Sequence, residues 1–300
     1  MLNKIIYTIL GFGLAIVFFP HTAKDQVRPP QVSGVAVSRA KAPQAITAPE
    51  LVLNLTPPAL TAKAALAYDL ESGSILYSKN MDQALSIASL TKLMTALVVV
   101  EQTDLQNTVV VDLPDSKIVG INLGLTAGEE LKVADLLSAM LIPSSNNAAL
   151  ILSKYVAGDE AKFVELMNEQ ARKLGLRGTR FSNPVGWDTD DNHSTVQDLI
   201  LVVKEFVKHP ELTQLVRTAR MEIVSLDGKY THQLLTTNQL LLNNPEVVGI
   251  KTGWTSKALG NLIIMANHNQ RRVVTIILGS ENREQDSQKL LDWIETVYIW

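Results

Sequence analysis

Three short stretches of this sequence combine residue types that can carry out acyl transfer. Ser89-Leu90-Thr91-Lys92 sets a hydroxyl and an amine three residues apart at the start of a predicted helix, so the two side chains can meet on one face. A serine is a poor nucleophile until a base takes its proton, and a lysine kept neutral by burial or by a second cation can be that base. At a helix start, Ser89 also lies near backbone N–H donors that stabilise charge developing on an attacked carbonyl. Ser144-Ser145-Asn146 falls in a predicted helix-to-helix loop, where Ser144 can relay a proton between the lysine and a leaving amine and Asn146 can hold a substrate amide. Lys251-Thr252-Gly253 ends a β-type run, where Gly253 lets a substrate backbone approach and Lys251 can meet a carboxylate. Taken singly, the three are ordinary local chemistry: a Ser cap beside a surface lysine, a turn, and an edge-strand lysine. Their occurrence in this order on one chain is not.

Other chemistries are excluded or unsupported. The chain has no Cys, which removes disulfides, thiol nucleophiles and thiolate zinc sites. It has no phosphate-binding Gly-rich loop, no Gly-x-Ser-x-Gly elbow, no His-Glu-x-x-His helix and no dinucleotide fingerprint. Its five His are scattered singly, so neither a metal nor a cofactor is expected. A net charge of -3 gives no basic footprint for a phosphate backbone, so nucleic acid is not an expected partner.

The three stretches need elements to bring them together. Ala64 to Leu70 and Ser74 to Ser78, around Glu71-Ser72-Gly73, read as a hairpin. A helix follows Ser89, striped by Leu90, Leu93, Met94, Leu97 and Val98. Further helices are predicted over Val133 to Leu141, from Asn146, through Phe163 to Leu174 ahead of Gly175, and from a Thr195 cap to Lys208. Met221 to Ser225, Val247 to Thr252, Leu262 to Ala266 and Val273 to Leu278 read as strands, and Arg283 to Tyr298 as a closing amphipathic helix. Strands from both ends of the chain most simply share one antiparallel sheet. The expected class is therefore α+β: an antiparallel sheet flanked by helices, with an inserted helical lobe and a cleft where lobe and sheet meet.

Ahead of this body, Ile5 to Phe19 is uncharged, follows Lys4 and stops at Pro20, the layout of a signal sequence. His21-Thr22-Ala23 lacks the small residues of a cleavage site, so a retained membrane anchor is an equal expectation for residues 1–23. Either places the body outside the cytoplasm. Residues 24–60 hold half of the 12 prolines and read as a semi-rigid linker, leaving 61–300 as the catalytic domain.

The three stretches match the Ser-x-x-Lys, Ser-x-Asn and Lys-Thr-Gly signature of penicillin-binding proteins and class A β-lactamases. Ile87 to Thr95, Tyr68 to Gly73, Thr179 to Gly186, His193-Ser194-Thr195 with Asp198-Leu199, and Gly249 to Thr255 extend the match. The chain from Ala64 to Trp300 thus resembles the serine-type D-alanyl-D-alanine carboxypeptidases, the low-molecular-mass penicillin-binding proteins. The resemblance implies Ser89 as acylated nucleophile, Lys92 as base, Ser144 and Asn146 as relay and positioning groups, and Lys251 with Thr252 as carboxylate reader. It puts Gly253 and Trp254 beside the substrate, with the N–H groups of Ser89 and Trp254 as oxyanion hole. The implied partners are peptidoglycan stem peptides, with β-lactams as inhibitors and the membrane as a further partner if the N-terminal segment is retained. Trimming of a terminal D-Ala and cleavage of a cross-link both remain open. A β-lactamase would need a deacylating Glu-x-x-Leu-Asn segment between Asn146 and Lys251, and none is present; a slowly acylating binding protein is a further alternative. Ile87 stands where this family usually has Pro, Asn147 where Asp commonly follows Ser-x-Asn, and Ala258-Leu259-Gly260 where Ala-Gly is usual. The C-terminal β-rich domain and amphipathic anchor of many relatives are absent from the sequence, which leaves the N-terminal segment as the expected anchor.

Overall fold

A computed structural model describes residues 47–112 and 118–300. The apolar segment Ile5 to Phe19 and most of the proline-rich stretch lie outside the described residues. No helix among the described residues is long and apolar enough to cross a membrane.

The elements follow in the order β1 (Glu50–Leu51), β2 (Ala64–Asp69), β3 (Ile75–Lys79), β4 (Leu85–Ser86), a 3-10 turn over Ala88–Thr91, α1 (Lys92–Gln102), β5 (Thr108–Val110) and β6 (Glu130–Lys132). Then come α2 (Val133–Leu141), α3 (Asn146–Ala157), α4 (Glu160–Lys173), β7 (His193–Ser194), α5 (Val196–Phe206), α6 (Pro210–Val216), β8 (Arg220–Val224) and β9 (Thr231–Leu235). The chain ends with α7 (Gln239–Asn243), β10 (Val247–Thr255), β11 (Leu259–His268), β12 (Arg271–Ser280), α8 (Arg283–Val297) and β13 (Tyr298–Ile299).

The central sheet runs β10-β11-β12-β2-β3, antiparallel throughout, so strands from both ends of the body do share one sheet. Alternation along each strand splits its side chains between two cores. Leu66, Tyr68, Ile263, Val274 and Ile276 face the helical lobe, whereas Ala65, Ala67, Leu262, Ile264, Val273 and Ile277 face α8 through Leu290, Leu291 and Ile294. Helix α1 is buried from Lys92 to Val99 and forms the centre of the lobe; over that stretch it is apolar on all sides apart from Lys92 and Thr95, and it turns polar only at its end with Glu101 and Gln102.

Two expectations change. The strand expected at Met221 to Ser225 stays out of the main sheet and pairs with β9 in a separate hairpin, because β9 offers it a partner only a short turn away. Residues 50–60, the end of the segment read as a linker, lie along the body. Val52 donates to the Val297 carbonyl at 2.8 Å, Trp293 Nε1 donates to the Leu55 carbonyl at 3.3 Å, and Leu60 packs on the α8-side core.

Candidate active site

Ala88 has φ +47° and Ser89 sits in the 3-10 turn, so the regular helix starts at Lys92, two residues later than the Leu90 start that the sequence pattern suggests. The turn preserves the spacing that matters: Lys92 Nζ lies 3.0 Å from Ser89 Oγ. Lys92 is fully buried, and its amine also lies 2.7 Å from Asn146 Oδ1 and 2.8 Å from the Val185 carbonyl. Burial first, then the charge of Lys251, holds the Lys92 pKa well below that of an ordinary lysine. A neutral amine has two N–H donors and one lone pair. With both donors taken by Asn146 and Val185, the lone pair is left for the Ser89 hydroxyl.

The loop that supplies the Val185 carbonyl is shaped by Asn183, whose Oδ1 accepts from the N–H groups of Val185, Gly186 and Trp187 at 3.2, 2.7 and 3.0 Å. Gly186 has φ +92°, and a Cβ there would stand 1.9 Å from the Ala88 carbonyl oxygen, so only glycine lets this loop meet the nucleophile turn. On the other side Gly253 brings β10 against the same turn: a Cβ on it would lie 3.1 Å from the Ser89 nitrogen.

Ser144 is buried, has φ +70°, and its Oγ finds no hydrogen-bond partner. A non-glycine residue in this region stores strain, and an unpaired buried hydroxyl is costly, so both features suit a group reserved for a ligand. Asn146 does more than the sequence expectation assigns it. Its Oδ1 holds Lys92 and its Nδ2 donates to the Val119 carbonyl at 2.6 Å, which leaves one N–H donor and one acceptor lone pair of this cleft-lining amide for a substrate.

These groups border a cleft of about 520 Å³ whose walls include Ser89, Val119, Ser144, Trp187, Thr237 and Thr252 to Ser256. A larger hollow of about 900 Å³ lies along α4, without any residue of the three motifs. Strand β10 is the edge of the sheet, so its free side offers a backbone ladder to an extended peptide.

Lys251 differs from its expected position. It is only 2% exposed, does not line the cleft, and donates to the Thr252 carbonyl at 3.3 Å. Burial and the charge of Arg283 lower its pKa to about 7. Among the described residues the cation on the wall is Arg283, which donates from Nη1 to the Gly253 carbonyl at 2.8 Å and from Nε to Glu284 Oε1 at 2.8 Å, and lines the cleft together with Thr252. Thr252 Oγ1 lies 2.5 Å from Thr237 Oγ1, which also lines the cleft. Neither Arg283 nor Thr237 belongs to a motif; the only sequence signal for Arg283 was its place at the start of the closing helix. Lys257, the next lysine after the Lys-Thr-Gly stretch, turns away to Asp190 at 2.7 Å.

The peptidase S11 family model, described as D-alanyl-D-alanine carboxypeptidase, matches residues 52–282. The fold is the one shared by penicillin-binding serine peptidases, and the chain belongs to the S11 family. It is similar to D-alanyl-D-alanine carboxypeptidase DacF of Bacillus subtilis, 31% identical over 79% of this chain and 63% of the relative. It is also similar to the D-alanyl-D-alanine endopeptidase of Escherichia coli K12, 29% identical over 85% of this chain and 84% of the relative. Against the first of these relatives the chain thus spans under two thirds of the length. Among solved structures, the Streptomyces K15 DD-transpeptidase superposes with a TM-score of 0.76 at 27% identity, covering 81% of this chain and all of that one. Penicillin-binding protein D2 of Listeria monocytogenes, in its ampicillin-bound form, gives 0.70 at 32% identity with 81% of this chain covered.

Proposed function

We propose that the protein hydrolyses D-alanyl peptides of peptidoglycan through an acyl-enzyme on Ser89. The observation that carries this reading is the three-way placement of the Lys92 amine, with two acceptors for its N–H groups and Ser89 opposite the lone pair. Lys92 takes the Ser89 proton as Oγ attacks the D-Ala carbonyl. The oxyanion is held by the N–H groups of Ser89 and Trp254. The tetrahedral intermediate collapses with the proton delivered through Ser144 to the leaving amine, which departs as D-Ala. Water then attacks the ester carbonyl, Lys92 takes its proton and returns one to Ser89 Oγ, and the peptide acid leaves.

Arg283 and Thr252 read the carboxylate beside the scissile amine, while burial, helped by the charge of Lys251 behind the wall, keeps Lys92 neutral. A penicillin enters the same path, because its strained carbonyl stands in for that of D-Ala. A peptidoglycan substrate supports a location of the folded body outside the cytoplasm, as does the apolar N-terminal segment read as signal or anchor.

A second reading, cleavage of D-Ala cross-links, is favoured by the greater share of the E. coli endopeptidase that the chain covers. Incubation with a pentapeptide ending in D-Ala-D-Ala and, separately, with purified cross-linked muropeptides distinguishes the two. Free D-Ala from the first supports the carboxypeptidase, and monomers from the second support the endopeptidase. Turnover of neither contradicts the proposal.

A further inference from the structure

At the far end of the same sheet, Glu246, His268 and Glu295 converge from three separate elements. One ligand atom from each lies within 4.8 Å of the others. Glu246 precedes β10, His268 ends β11 and Glu295 belongs to α8. Their backbones are fixed. The Glu246 carbonyl accepts from the Asn267 N–H at 2.9 Å, and its own N–H donates to Asn244 Oδ1 at 3.0 Å. Glu295 sits next to the buried Ile294 on α8, and the His268 ring rests on Trp300 with centroids 5.7 Å apart.

An ion pair between His268 and Glu295 would need only one carboxylate, yet a second stands beside it. The two arginines of the adjoining turn are committed elsewhere, Arg271 to Asp69 and Arg272 to Glu71. Among the described residues, no Lys or Arg forms an ion pair with Glu246 or Glu295. Two carboxylates facing one imidazole, neither of them ion-paired to a Lys or Arg among the described residues although Arg271 lies over the neighbouring Trp300 ring, make a donor set that a divalent cation completes.

We propose that Glu246, His268 and Glu295 bind a zinc ion, in contrast to the absence of any metal expected from the singly scattered histidines. Zinc–ligand bonds of about 2.0 to 2.1 Å give a tetrahedral edge of roughly 3.4 Å. His268 Nδ1 and Glu295 Oε1 already stand 3.6 Å apart. Rotation of the exposed Glu246 side chain closes the remaining edges, and the fourth position is left to water. Metal at Nδ1 requires a proton on Nε2. Asn269, whose side-chain amide lies 3.0 Å from Nε2, presents its oxygen as acceptor after an amide flip and so orients the ring.

The site is remote from the cleft, since the strand from Gly260 to His268 covers roughly 27 Å at about 3.3 Å per residue. Its consequence is structural: one ion joins the entry of β10, the end of β11 and α8, the three elements that hold the C-terminal part of the body together.

The test is isothermal titration of the tag-free full chain, stripped of metal, with zinc chloride and separately with magnesium chloride. The expected result is one saturable zinc site, no magnesium site, and affinity weakened about tenfold or more in His268→Gln and in Glu246→Gln. At the same zinc concentration the Tm of the wild type rises more than that of either variant. Glu246 is exposed, so its variant folds as the wild type and guards against a folding artefact. No saturable heat at millimolar zinc, or equal affinity in wild type and both variants, overturns the proposal.

Discussion

Replacing Arg283 by Gln separates the two cations that could recognise a substrate carboxylate. Arg283 lines the cleft and donates to the Gly253 carbonyl at 2.8 Å, whereas Lys251 is buried, donates to the Thr252 carbonyl and has a pKa lowered to about 7. A guanidinium-to-carboxylate contact in a partly dry cleft contributes about 1.5 to 3 kcal/mol, roughly ten- to a hundredfold in kcat/KM. The wild type should therefore prefer a peptide ending in free D-Ala over its C-terminal amide by that factor. In Arg283→Gln the preference falls toward unity, and in Lys251→Gln it persists. The ratio is the quantity to measure, with D-Ala or D-alaninamide release followed for the paired substrates. Arg283 also depresses the Lys251 pKa, and any knock-on effect on Lys92 slows both substrates alike and cancels. An undiminished preference in Arg283→Gln, or its collapse in Lys251→Gln alone, refutes Arg283 as the reader.

Lys92 acts as a base only when neutral, so kcat/KM should fall as pH drops through its depressed pKa; Lys251→Met removes the neighbouring charge that helps lower that pKa and should move the acid limb to higher pH. A limb that stays in place contradicts the electrostatic role of Lys251. Lys251 also makes stability pH-dependent: its pKa is about 7 in the folded protein against 10.5 for a free lysine, so the unfolded chain binds the extra proton between these values and stability rises with pH across that window. Urea melts of Lys251→Met should show that rise reduced. Gly186→Ala places a methyl group against the Ala88 carbonyl at a positive φ, so penicillin labelling should fall at least tenfold or soluble protein should be lost; wild-type labelling would show that the loop can move aside.

Much of the architecture was legible because period and punctuation agreed. Val133 to Leu141 and the Thr195 cap follow from local pattern, and Thr195 Oγ1 does accept the Asp198 N–H at 3.0 Å. The β2–β3 hairpin and a sheet shared by strands from the two ends of the body were likewise legible, whereas the choice of β12 as the second neighbour of β2 was not. Strand β9 escaped notice because Thr231 to Leu235 alternates exposed and buried positions over only five residues, two of the five being Gln233 and His232. Within the site, Ser89, Lys92 and Ser144 could be named from residue type and spacing. The Val185 carbonyl could not, since a backbone acceptor has no side-chain signature; Asn183 and Gly186, which aim it, were only part of a resembling stretch. Burial decided the remaining difference. Lys251 reads as an edge-strand lysine in sequence, and only the packing of β10 against the nucleophile turn shows that it points inward.

The most direct measurement for the central claim is intact-protein and peptide mass spectrometry after brief exposure to benzylpenicillin. The wild type should gain the mass of one penicillin, located on the peptide containing Ser89, and Ser89→Ala should gain none. Lys92→Met, which keeps the packing and removes the base, should acylate at least a hundredfold more slowly. An adduct on another residue, or acylation of Ser89→Ala at the wild-type rate, would contradict the assignment of Ser89 as nucleophile.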